Sequence, residues 1–126
     1  MLDAARAQRP LRVIVVDDDA DVRRQAERDL GAAGYAVQTA SNGVDAFDTM
    51  WRNQAPDVLL LALALPRMDG WECLEELQED EALAHVPVVV MAEPQQASRL
   101  PGRDVLTKPF TPSQLLAAVA SHLLPA

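Results

Sequence analysis

Apolar positions along this chain come in short continuous runs that alternate with stretches of helical spacing. Residues Leu11 to Val16, "LRVIVV", form a β-branched run of the kind found in a strand buried on both faces of a parallel sheet. It stops at "DDDAD", where Asp19 is placed to cap a helix whose Val22, Ala26, Leu30 and Ala33 recur at helical spacing until Gly34. The pattern then repeats. "YAVQT" predicts a second strand, and "NGVDAFDTMWRN" a helix with Val44, Phe47, Met50 and Trp51 on its apolar side. "DVLLLA" predicts a third strand, and "GWECLEELQED" a third helix through Cys73, Leu74 and Leu77, capped by Asp69. "VPVVVMA" and "DVLT" predict strands four and five, and "TPSQLLAAVASHLL" a last helix with Thr111 as cap and Pro112 at its first position.

This alternation implies a parallel sheet with helices on both faces, joined by right-handed crossovers. Five strands suit the flavodoxin-like (βα)5 doubly wound order 2-1-3-4-5, in which ligands gather beyond the carboxyl ends of the strands. One crossover is short: "EPQQASRLPGR", Glu93 to Arg103, carries prolines at 94 and 101, so a stub or loop is expected in place of a full fourth helix. The expected layout is a tail over 1–10, one domain over 11–124 and a tail over 125–126.

Composition narrows the function. Nineteen acids against eleven Lys and Arg give a formal charge of −8, a field that repels nucleic acid and anionic membrane surfaces. No run approaches the ~20 apolar residues that span a bilayer, and "MLDAARAQRP" has no apolar core for a secretion signal. The closing "LLPA" is expected to leave no room for an output domain. Cys73, the single cysteine, excludes an internal disulfide and fits a small buried residue in a reducing, cytoplasmic setting.

The strand ends bring together Asp17, Asp18 and Asp19, then Ala62, Ala92 and Lys108, which is the only lysine. Adjacent acids facing a lysine suit a divalent cation and a phosphoryl group, since carboxylates hold Mg²⁺ while an ammonium neutralises a phosphate oxygen. The plainer alternative is a helix cap plus a structural ion pair. "VVDDDADV" contains no glycine, so it lacks the backbone cradle of a phosphate-binding loop. His85 and His122 stand outside nucleophile or metal spacing and read as surface or helix-end residues.

In order, "VIVVDDD", "PDVLLLALALPRMDGWE", "VPVVVMA" and "DVLTKPF" resemble the successive motifs of the receiver domain of bacterial two-component response regulators, over residues 11 to about 124. The resemblance implies a domain phosphorylated by a histidine kinase on an aspartate ending strand 3. It further implies an acidic pair holding Mg²⁺, a Thr or Ser ending strand 4 and a Lys after strand 5 on the phosphoryl oxygens, and an aromatic switch residue. Asp17 and Asp18 match the pair, and Lys108 matches the lysine. The acceptor position holds Ala62, the hydroxyl position Ala92 and the aromatic position Val105.

A pseudo-receiver is therefore expected: no enzyme, no nucleophile at 62, and Mg²⁺ weakly held or not at all by Asp17 and Asp18. Lys108 is expected to turn to Asp18 or to nearby carbonyls. A substitute acceptor is not expected, since Asp57 stands at the far end of strand 3, roughly 16 Å from Ala62 at ~3.3 Å per residue, and Asp69 serves as a cap. The expected partners are signalling proteins, a histidine kinase or another regulator, met as a monomer or weak dimer. Trp71 is expected beside the vacant pocket, either packed on the loop or exposed as a partner anchor, and Trp51 at the core edge. The alternative is an ordinary regulator with an engineered Asp-to-Ala change at 62, which leaves Ala92, Val105 and the short crossover unexplained.

Overall fold

The computed structural model describes residues 10–100 and 103–123; the predicted tails, save Pro10, lie outside them, as does residue 124. Five strands, β1 (Arg12–Val16), β2 (Ala36–Ala40), β3 (Val58–Ala62), β4 (Val88–Ala92) and β5 (Val105–Thr107), form one parallel sheet in the order 2-1-3-4-5. The helices are α1 (Ala20–Ala32), α2 (Gly43–Arg52), α3 (Gly70–Glu79), α4 (Pro94–Ala97) and α5 (Pro112–Ala120). The predicted doubly wound architecture is the one observed.

β3 is the central strand, and every residue from Val58 to Ala62 is buried, which is why it reads as an unbroken apolar run. Its register sets Leu61 against Val16 on one side and Ala62 against Met91 on the other, so three strand ends meet at one edge. Helices α1 and α5 pack together, as do α2 and α3.

Predicted caps form as side-chain bonds. Asp19 accepts from the Asp21 amide at 2.8 Å, and Asp69 and Thr111 close capping boxes with Glu72 and Gln114. The fourth helix is the expected stub, one turn long. Helix α5 ends at Ala120, short of the predicted stretch, where Ser121 donates its hydroxyl to the Ala118 carbonyl at 2.9 Å.

Cys73 is buried, and its thiol donates to the Met68 carbonyl. Burial, aided by the charges of Asp69, Glu72 and Glu76, pushes the thiol up to about 11 from 9.0. Two expectations for α2 need correction. Trp51 is no core-edge residue: it is 63% exposed, with its ring against Phe47 and its indole N–H donating to Asp80 Oδ2 at 3.2 Å. Val44 is likewise exposed, because the buried stripe of α2 centres on Gly43, Ala46, Phe47 and Met50. Among the described residues no helix is long and apolar enough to cross a membrane.

Candidate functional site

The carboxyl edge is built from the ends of β1, β3, β4 and β5. Asp17 extends β1 by one residue, its amide donating to the Ala40 carbonyl at 3.1 Å. Alternation along an extended backbone therefore turns its side chain inward, while Asp18 points out to solvent. The Asp17 carboxylate is only 1% exposed, and both of its oxygens are used. Oδ1 accepts from the Asp19 amide at 3.0 Å, and Oδ2 accepts from Lys108 Nζ at 2.7 Å. The lysine thus meets Asp17, correcting the expectation of Asp18 or backbone carbonyls.

The backbone of Lys108 is tied to the end of β4. Its amide donates to the Ala92 carbonyl at 2.8 Å, and a cis peptide bond joins it to Pro109. Arg23, which the pattern of the sequence did not single out, donates to the Asp17 carbonyl at 2.6 Å and ties α1 to the same corner. A buried carboxylate held by an ammonium and a backbone N–H is a satisfied charge, and removing either partner would leave it stranded.

Beside this pair lies a cavity of about 250 Å³ whose lining includes Asp17, Asp18, Ala62, Ala64, Glu93 and Lys108. Ala62 presents a methyl group, and Ala92, at the end of β4, is fully buried without a hydroxyl. Glu93 and Gln96 were not singled out from the sequence; the Glu93 amide donates to Gln96 Oε1 at 2.9 Å and so orders the single turn of α4. Trp71 does not line this cavity; it stands 39% exposed on α3. The larger cavity, about 400 Å³, opens at the amino edge, where Arg12 spends its guanidinium on Gln38 and the carbonyls of Gln54 and Ala55. Asp57 sits at that amino edge too, accepting from the Arg12 amide at 2.7 Å, far from the acidic corner.

The loop after β3 is packed tightly against the site. Gly70 donates to the Leu63 carbonyl at 2.8 Å and leaves no room for a side chain, since a Cβ there would strike the Ala62 carbonyl and Leu63 Cα. Arg67 adopts φ 67° at the turn, and its guanidinium reaches Asp45 at 3.5 Å. At β5, Val105 is half-buried beside a cavity of about 160 Å³ that Asp104 and His122 also line. His122 Nε2 lies 3.0 Å from Asp104 Oδ2, so this helix-end histidine joins α5 to β5.

The family model of the response regulator receiver domain matches residues 13–120. The chain belongs to that family. The receiver is 36% identical to the response regulator MprA of Mycobacterium sp. strain KMS over 120 residues, which is 90% of this chain and 51% of that protein. It is 33% identical over 118 residues to a transcriptional regulator, ycf27, of Guillardia theta, covering 89% of this chain and 45% of the relative. The receiver therefore spans about half the length of these curated relatives. Among solved structures, a response regulator from Chloroflexus aurantiacus superposes with a TM-score of 0.82 at 29% identity, over 91% of this chain and 98% of that one.

Receivers are expected to hold Mg²⁺ at this corner, and the residues present do not fit it. Each oxygen of the most buried carboxylate already accepts a bond, one from Lys108 and one from a backbone amide, and a methyl group stands at the position of the third carboxylate. Among the described residues no group of three His, Cys, Asp or Glu side chains is placed to hold a metal ion.

Proposed function

We propose that this receiver works without covalent phosphorylation, as a docking module in two-component signalling whose partners are a histidine kinase or another regulator. One observation carries the reading: at the tip of the central strand, beside the acidic corner, stands Ala62, which has no oxygen to attack a phosphoryl group. Ala92 and Val105, together with the one-turn α4, support it, because the groups that would sense a phosphoryl oxygen are missing as well. In this reading the domain catalyses no reaction and has no resident cofactor. Its acidic surface, from a formal charge of −8, favours protein partners over nucleic acid.

The test is incubation with a small phosphodonor, acetyl phosphate, and Mg²⁺, followed by intact mass measurement. The expected spectrum is unchanged. A stoichiometric phosphate adduct would overturn the proposal.

A further inference from the structure

The three exposed large apolar side chains among the described residues, Val44, Trp51 and Trp71, all lie on α2 and α3. Val44 and Trp51 are two turns apart, about 10 Å along α2 at ~1.5 Å per residue, and so share one flank. That flank is turned toward α3, because the Trp51 indole reaches Asp80 at the end of α3. On α3 the row i, i+4, i+8 that ends at Asp80 consists of Glu72, Glu76 and Asp80. At ~100° per residue this row lies beside Cys73, on the side where Cys73 meets the Met68 carbonyl and Gly43. An apolar strip on one helix thus runs beside a carboxylate row on the next.

The charge around the strip is one-sided. Helices α2 and α3 carry Asp45, Asp48, Glu72, Glu75, Glu76 and Glu79 against Arg52 alone. On the opposite face of the sheet α1 is balanced, with three acids and three arginines, and α5 has no charged residue. The excess negative charge therefore sits where the exposed apolar side chains are.

We propose that the α2–α3 face docks a basic amphipathic segment of a partner protein, with apolar side chains on Val44 and Trp51 and Lys or Arg side chains on Glu72, Glu76 and Asp80. Exposed tryptophan supplies the anchor area that dominates many interfaces, and the carboxylates select against acidic partners and speed encounter with basic ones. The inference rests on the reading that this domain acts by docking. It concerns a face separate from the Asp17–Lys108 corner.

The test is titration of the full chain with a synthetic helical Leu/Lys peptide of about 14 residues, long enough to lie along both helices. A Leu/Glu peptide of the same pattern serves as control. Tryptophan emission and calorimetry are the readouts. Saturable binding of the Leu/Lys peptide alone is expected, weakened about tenfold by Trp51→Ala and by Glu76→Lys. Glu27→Lys on α1 and Trp71→Ala, on the other flank of α3, should leave it unchanged, and Trp51→Phe should retain most of it.

Absence of saturable binding overturns the proposal. So does equal weakening by Glu76→Lys and Glu27→Lys, which would mark undirected attraction. A dimer on size exclusion that Trp51→Ala abolishes also overturns it, by giving the face to a second copy. The phosphodonor experiment reads the pocket alone, so a phosphate adduct with intact peptide binding would overturn the proposed function and spare this face.

Discussion

Lys108 Nζ lies 2.7 Å from Asp17 Oδ2, joining residues 91 positions apart in the chain and placing an internal cation on the most buried carboxylate of the acidic corner. The pair closes the sheet edge between β1 and the turn after β5. It also uses the carboxylate that a metal would need.

Lys108→Met is expected to destabilise the fold by about 2–3 kcal/mol, because it leaves a buried carboxylate with one N–H donor. The partial exposure of the lysine keeps the cost below that of a fully buried pair. Adding Asp17→Asn to Lys108→Met should recover part of the loss. Urea unfolding of the two single variants and the double variant measures the coupling.

Ala62→Asp puts a third carboxylate next to Asp17 and Asp18. Without metal, like-charge crowding should lower stability by about 1–2 kcal/mol. Millimolar Mg²⁺ should then raise the melting temperature of the variant and leave the parent chain unmoved. Thermal scans with and without Mg²⁺ check this.

Two glycines should respond in opposite directions. Gly70→Ala drives a Cβ into the backbone of Ala62 and Leu63, which cannot yield without moving β3, so a loss of about 2–3 kcal/mol is expected. Gly31 lies exposed within α1 with no atom near its Cβ position, and Gly31→Ala should gain about 0.5–1 kcal/mol from helix propensity. Denaturation midpoints of the two variants give the comparison.

The Cys73 thiol ionises at 9.0 when free and at about 11 when folded. Below the first value both states are protonated and the group adds no pH dependence. Between the two values only the unfolded chain loses the proton, so stability falls as pH rises, by at most about 1.4 kcal/mol per unit. Cys73→Ala should flatten that alkaline slope, whatever its cost at neutral pH. Urea titrations repeated across the alkaline range measure it.

Much of the fold was legible because short apolar runs such as "VIVV" and "VLLL" alternate with stretches of helical spacing that open on a capping side chain. The stub at α4 was legible from Pro94 and Pro101 alone. Side-chain direction was harder to read. Which of two neighbouring aspartates meets Lys108 depends on whether β1 continues one residue further, and only the bond from the Asp17 amide to Ala40 decides it. Trp51 was misplaced because a period of 3.6 does not separate the centre of a stripe from its rim when the centre holds small residues, here Gly43 and Ala46. Arg23 and Glu93 carried no pattern at all; they reach the corner through the tertiary fold.

A methyl group at the tip of β3 also removes a clock. A switch that stores its message in a labile acyl phosphate forgets at the rate water cleaves it. With Ala62 in that place there is nothing to decay, and under the proposed reading the strength of the message follows from how many copies the cell makes and how quickly it degrades them.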